Sequence, residues 1–170
     1  MRFMRAPGAL CLVSACLLAA AAVRPAAATD KTARVGNVAP AFNLEDADGR
    51  QIDSRRFANR PMYINFFASW CPPCKQELPN VVRQYPRFRG RVAFIGVDEQ
   101  ESPAAVKAFL RRMRIEYPVG IDAGAAGAVY GVASLPQSVF VDRHGIVRRI
   151  WRGFMPPSVF AQSMALIGVR

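Results

Sequence analysis

The pattern of apolar and polar positions along this chain predicts strands that alternate with amphipathic helices. Nearly continuous apolar runs at residues 62–67 and 92–97 indicate strands buried on both faces of a sheet. Shorter runs predict two more strands, at residues 118–122 and 138–141. Apolar residues spaced three and four apart, together with capping residues, predict three longer helices, at residues 75–85, 102–114 and from 157 onward.

Turn residues complete the predicted order of elements. Asp48-Gly49 joins residues 41–44 to 50–52 in an N-terminal hairpin, and a turn at 142–145 leads into a last strand at 146–152. A short helix at 125–130, which ends at Gly131, gives the order β-β-β-α-β-α-β-α-β-β-α. The fold class is therefore α/β: a three-layer sandwich with a central mixed β-sheet and helices on both faces.

The first 28 residues have the composition of a secretory signal peptide. Arg2 and Arg5 precede an apolar run at residues 9–23, and three alanines ending at Ala28 follow it. We expect cleavage after Ala28, which would place the protein in the periplasm or otherwise outside the cytoplasm. The rest of the chain then divides into a lead-in at 29–38 and one domain at 39–170.

Two other interpretations of the N-terminal segment stay open. Small residues before Cys16 resemble a lipidation signal, although the apolar run continues beyond that cysteine. The segment could also be retained as a membrane anchor, but its run of 15 residues is shorter than the roughly 20 needed to span a bilayer.

The chain is strongly basic, with a formal net charge of +11 that falls to +8 when the three arginines of the signal segment are lost. The 20 arginines are scattered without interleaved aromatic residues, so we expect no nucleic-acid binding. A basic surface would attract anionic lipid headgroups or acidic proteins, by an attraction that salt screens. We expect a monomer.

The chemistry predicted for this chain lies in Cys71 and Cys74, the two cysteines that remain after signal cleavage. They stand between a buried strand and the start of a helix, which is the setting of a redox-active C-x-x-C pair. The helix N-terminus stabilises an anion at Cys71 and lowers its thiol pKa below about 8.5. We therefore predict Cys71 as the attacking thiolate and Cys74 as the resolving thiol.

Other readings of the cysteine pair are weaker. A zinc site lacks ligands, because His144 is the only histidine of the chain. A static disulfide would close too short a loop to remove much chain entropy, and reduced core cysteines are disfavoured in an exported protein. We expect no metal and no cofactor beyond the cysteine pair. A thiol peroxidase stays an alternative, although Ala68 replaces the hydroxyl residue that peroxiredoxins carry three positions before their cysteine.

Several segments of the chain match one family: 65–74 (NFFASWCPPC), 77–79 (ELP), 96–98 (GVD), 117–118 (YP) leading to Asp122, 130–132 (YGV), and 135–142 (LPQSVFVD) closing with Gly145. Through these segments the chain resembles the TlpA/ResA/CcmG group of extracytoplasmic thioredoxin-like proteins. The resemblance implies a thioredoxin fold with an N-terminal β-hairpin and an inserted βα unit. It also implies a thiol-disulfide oxidoreductase that reduces exported proteins.

The resemblance further implies roles for residues around the cysteines. Pro136 would be a cis-proline that faces the pair, and the backbone of Leu135 would pair with a substrate strand. We expect Trp70, Pro72 and Pro73 to contact the substrate as well.

We hypothesise that Glu77 is the titrating group that handles protons during thiol-disulfide exchange. Asn65 stands where cytoplasmic thioredoxins carry a buried aspartate, and Glu77 matches a glutamate that the group keeps near its active site. A helix-surface acid is the alternative for Glu77, in which case Asp98 or Glu99 would be the candidates.

The residues between the cysteines favour a reductant over an oxidant. Pro72 and Pro73 offer no charged donor that would over-stabilise the Cys71 thiolate. The expected substrates are client proteins with disulfides or cysteine pairs. A reductant outside the cytoplasm must itself be reduced again, so a membrane thiol-relay protein is the expected electron donor. By resemblance, the clients are apocytochrome c or copper sites of respiratory oxidases. A disulfide oxidant and a non-catalytic binding module stay as alternatives.

Overall fold

The computed structural model describes residues 32–169, which form one mixed seven-stranded sheet with helices on both faces. The strands are β1 (Asn43–Asp46), β2 (Gln51–Asp53), β3 (Met62–Phe67), β4 (Ala93–Glu99), β5 (Val119–Asp122), β6 (Gln137–Val141) and β7 (Val147–Arg152). The helices are α1 (Pro72–Phe88), α2 (Pro103–Met113), α3 (Ala125–Val129) and α4 (Pro157–Leu166).

The sheet has the order β2-β1-β5-β4-β3-β6-β7. Its centre is parallel, because β4 pairs in parallel with both β3 and β5, whereas the outer pairs are antiparallel. The N-terminal hairpin β1-β2 extends the sheet beyond β5, and β5 with α3 is the inserted βα unit. The predicted α/β class, thioredoxin fold and element order are confirmed.

Strand β3 is buried along its whole length, as its apolar run predicts, and it separates two cores. On one face Tyr63 and Phe67 pack with side chains from α1, α2 and α4. On the other face Ile64 and Phe66 pack with α3 and with Tyr130. The end of this central strand is therefore held rigidly at the point where the cysteine motif begins.

Helix α1 is longer than predicted at both ends. Prolines at its first two positions are compatible with a helix, because the N–H groups that they lack would have no intrahelical partner there. The helix also continues to Phe88, whose ring packs 6.4 Å from that of Phe94 in the core. A 3₁₀ helix at Ser54–Phe57, which the sequence did not predict, begins at an Asp53 side chain that accepts from Arg55 N.

The first residues that the structure describes, which belong to the lead-in predicted at 29–38, pack on the domain. Ala33 is buried and donates its N–H to Val129 O at 2.7 Å. Farther along, the segment pairs with the start of β7 through Gly36 N to Val147 O at 2.8 Å. The signal or anchor interpretation concerns residues outside those described. Within residues 32–169 no helix is both long and apolar enough to cross a membrane.

Candidate active site

The cysteine pair lies where β3 passes into α1, and it forms a disulfide bond. Cys71 is the N-cap of α1, and its Sγ accepts from the backbone N–H of Cys74 at 3.2 Å. Cys71 retains 3% of its surface and Cys74 retains none. A partner can therefore reach only the first cysteine, at the positive end of the helix, which is the arrangement that attack by Cys71 requires.

The segment between α3 and β6 faces the motif across a groove. The Leu135–Pro136 peptide bond is cis, and Pro136 O accepts from Gly153 N at 2.8 Å. Pro136 is buried, whereas Leu135 is half-buried. Within residues 32–169 the backbone N–H and C=O of Leu135 make no hydrogen bond. These two groups are available to an added strand.

The groove has a volume of about 650 Å³ and runs beside the disulfide. The structure brings together the four residues that we expected to contact substrate, and one of them, Trp70, is 64% exposed. The remaining wall comes from the end of β4 and from the loop between α3 and β6. The full lining is Trp70, Cys71, Pro72, Pro73, Glu99, Gln100, Val132, Ala133, Ser134 and Leu135.

Glu77 is buried under the motif and is not a helix-surface acid. Its Oε1 accepts from Asn65 Nδ2 at 3.0 Å, and its Oε2 accepts from Met155 N at 2.7 Å. Ser138 Oγ lies 3.5 Å from Oε1. Burial raises the pKa of Glu77 to about 7, although these three hydrogen bonds act in the opposite direction. The carboxyl group therefore titrates near neutral pH, one helical turn beyond Cys74.

A second group of carboxyls lies at the end of β4, beside the start of the motif. The carboxylate of Glu101 accepts from both the N–H and the Oγ of Ser69, two residues before Cys71. Asp98 is fully buried, and no donor in the described part of the chain makes a well-formed hydrogen bond to its oxygens, although the backbone and the side chain of Glu101 lie close enough to affect its pKa. Burial, followed by the nearby Glu101 and Glu99, raises the pKa of Asp98 to about 8.

Sequence reasoning named Asp98 and Glu99 only as substitutes for Glu77, and it missed Glu101, Ser69 and Met155. A topological signal was available for Glu101. The carboxyl ends of neighbouring parallel strands meet at one edge of a sheet, and β4 follows β3 with Asp98 in register with Phe67. Residues just after β4 therefore lie next to residues just after β3. No comparable signal points to Met155, which arrives from the far end of the chain.

Comparison with known proteins supports the resemblance drawn from the motifs. The profile of the AhpC/TSA family matches residues 35–150. The thiol-disulfide oxidoreductase ResA of Bacillus thuringiensis subsp. konkukian is 35% identical over 115 residues, which span 66% of each chain. ResA of Geobacillus thermodenitrificans is 32% identical over 142 residues, 82% of each chain.

A solved structure has the same architecture. The thiol:disulfide interchange protein of the thioredoxin family from Chlorobium tepidum TLS is 29% identical, with a TM-score of 0.69. The match covers 79% of this chain and 98% of that one. The chain therefore belongs to the AhpC/TSA family, in the group of ResA-like thiol-disulfide oxidoreductases with the thioredoxin fold.

Proposed function

We propose that this protein is an exported disulfide reductase that acts through Cys71 and Cys74. The observation that carries the proposal is the cysteine pair at the N-terminus of α1, which opens on a groove. Along its other wall lie the backbone N–H and C=O of Leu135, which have no partner within residues 32–169. A client segment in this groove can pair with that backbone while its disulfide meets Cys71.

The proposed reaction is a two-electron exchange. The Cys71 thiolate attacks one sulfur of a client disulfide, so that the client S–S bond breaks and a mixed disulfide forms with loss of one client thiolate. Cys74 then loses its proton and attacks Cys71 Sγ, which releases the second client thiolate. The client gains two electrons and, in water, two protons. The protein ends with the Cys71–Cys74 disulfide, and the reaction needs no cofactor.

The electrostatics around the pair support a reductant. Neither Pro72 nor Pro73 offers a charge, and the lining of the groove contains no arginine, lysine or histidine among the described residues. Glu77, one turn beyond Cys74, opposes ionisation of the thiols when it is charged. A thiolate that is only modestly stabilised gives a dithiol that readily donates its electrons.

The setting that we propose follows from the signal-like first 28 residues and from the family. The protein would work outside the cytoplasm as a monomer, and its basic surface would favour anionic membranes. A membrane thiol-relay protein would reduce the Cys71–Cys74 disulfide again by the same exchange. Apocytochrome c and copper sites of respiratory oxidases are the client classes that the resemblance suggests.

Trapping of mixed disulfides tests the proposal. Cys74→Ser should accumulate covalent adducts with envelope proteins, because its mixed disulfide cannot be resolved, whereas Cys71→Ser should accumulate none. The wild-type protein should reduce insulin disulfides and should consume hydroperoxide no faster than a free dithiol. Equal trapping by both variants, or rapid peroxide turnover without disulfide reduction, would reject the proposed function.

A further inference from the structure

The groove beside Cys71 is acidic although the protein is basic. Glu99 is the one charged residue among those that line the groove within residues 32–169. The other lining residues are neutral, and most of them are apolar. A chain with a formal charge of +11 therefore presents a lone negative side chain at the place where a client must bind.

Within residues 32–169, no hydrogen-bond donor or cation is paired with the Glu99 carboxylate. Its Oε1 is buried without a hydrogen bond, and the described residues supply it with no ion pair. The nearby donors at the start of α3 are already used, because Asp122 accepts from Ala126 N at 3.1 Å and from Gly127 N at 2.7 Å. Glu99 therefore has the negatively charged Asp122 as a neighbour and receives no hydrogen bond from these N–H groups.

The position of this carboxylate depends on a glycine. A Cβ at Gly127 would come within 2.9 Å of Glu99 Oε1, so the carboxylate lies directly against the bare backbone of α3. Burial, with a further contribution from Asp122, raises the pKa of Glu99 to about 7. The Glu99 side chain thus lies at the groove in surroundings that disfavour its negative charge. A cation on a bound partner would lower the free-energy cost of that charge.

We propose that Glu99 selects clients that carry an arginine or lysine close to the disulfide that Cys71 attacks. This inference rests on the proposed function and names the chemistry of its client. A guanidinium or ammonium group at this point would supply the missing hydrogen bonds and the opposite charge. The cation must lie near the attacked disulfide because Cys71 and Glu99 line the same groove.

Two peptides that differ in one charge test the inference. Each peptide carries a cysteine in disulfide linkage to the same chromogenic thiol, with either arginine or its neutral isostere citrulline beside the cysteine. The reduced wild-type protein should cleave the arginine peptide about 3- to 10-fold faster, as kcat/KM. Glu99→Gln should remove this preference. Glu116→Gln, which removes an exposed acid outside the groove, should keep it.

Binding gives a readout that does not need turnover. Peptides with serine in place of cysteine are titrated onto the oxidised protein, with tryptophan fluorescence as the signal, and the same preference for arginine is expected. About 0.5 M salt should weaken the preference in both assays. Equal rates and equal affinities for the two peptides would overturn the inference, as would loss of the preference in Glu116→Gln. If no peptide is reduced but arginine still binds better, the proposed function fails, and only the preference of the groove for a cation remains.

Discussion

Glu77 and Asp98 are both buried carboxyl groups on elements that hold the cysteine motif, but their surroundings differ. Glu77 on α1 accepts hydrogen bonds from Asn65, Met155 and Ser138, three residues that are far apart in the chain. Asp98 on β4 accepts no well-formed hydrogen bond from residues 32–169, apart from a weak interaction with the backbone of Glu101, and it faces the neighbouring acids Glu99 and Glu101. Both groups have a raised pKa, near 7 for Glu77 and near 8 for Asp98.

Comparing Glu77 with Asp98 separates the effect of burial on a carboxyl group from the effect of its hydrogen bonds. Loss of hydration raises both pKa values, but hydrogen bonds recover part of the lost energy for Glu77, whereas neighbouring acids add to the loss for Asp98. Glu77 therefore works as a structural acceptor that ties α1 to β3, β6 and the loop before α4. Asp98 makes no such connection, and its ionised form opposes folding. Removal of the two carboxyls should have effects of opposite sign on stability.

The largest expected effect is on stability, from Glu77→Ala. The substitution leaves Met155 N without an acceptor and opens a cavity beneath the motif, so we expect a loss of about 2–4 kcal/mol in the free energy of unfolding. Urea denaturation of the oxidised protein measures the change. Glu116→Ala, at an exposed position, should change stability by less than about 0.5 kcal/mol. Similar losses in the two variants would show that the hydrogen bonds of Glu77 add nothing.

The second prediction is a gain of stability from Asp98→Asn. Between its ordinary pKa of 3.8 and about 8, the folded protein retains the proton of Asp98 that the unfolded chain has released. Wild-type stability therefore falls as the pH rises through this range. The variant escapes this loss and should be more stable by about 1–3 kcal/mol at pH 8, with the gain vanishing near pH 4.

Denaturation midpoints of both proteins measured from pH 4 to pH 9 check the sign. Glu116→Gln is the matched control, because it makes the same kind of substitution at a carboxyl that is exposed to solvent. A gain that is the same at every pH would mean that the charge of Asp98 is not its cause.

The fold was predictable because its signals are local. The all-buried strand β3 and the glycine turn of the first hairpin depend on residues that are adjacent in the chain. Errors occurred where tertiary packing extends an element, as at the end of α1, where Phe88 packs in the core. The packing of the lead-in has no local signal for a similar reason, since its hydrogen bonds to β7 involve residues more than a hundred positions away.

The active site was predictable only where one short motif contains it. Cys71, Cys74 and their neighbours are contiguous, and Pro136 was placed by resemblance to a family. Glu77 was singled out, but its burial depends on Met155, which no local pattern connects to it. The bond between Glu101 and Ser69 requires the adjacency of two strand ends, which becomes known only with the sheet order.

The third prediction tests whether Glu77 acts on the thiols as well as on stability. Its ionised carboxylate opposes ionisation of Cys71, so Glu77→Gln should lower the apparent pKa of the Cys71 thiol by about half a pH unit to one unit. Alkylation rates of the reduced proteins, measured from pH 5 to pH 10, report this value. Superimposable curves would limit Glu77 to its structural role. Asp98→Asn provides the comparison, because it removes another buried acid, which lies on β4 and not on α1.

The smallest effect is expected from Glu101, the carboxylate just after β4 that is hydrogen-bonded to Ser69. Glu101 accepts two hydrogen bonds from Ser69, so it fixes the backbone just before Trp70 and Cys71 in the manner of a positioning residue. Glu101→Gln replaces charge-assisted bonds by weaker neutral ones, and we expect a loss of about 0.5–1 kcal/mol in stability and a decrease of about 2- to 5-fold in kcat for disulfide reduction.

Ser69→Ala removes one of the two bonds and should give a smaller decrease in kcat. The double variant Ser69→Ala/Glu101→Gln should be less impaired than the sum of the single changes, because both act on one contact. Strict additivity of the two changes would show that the contact does not position the motif.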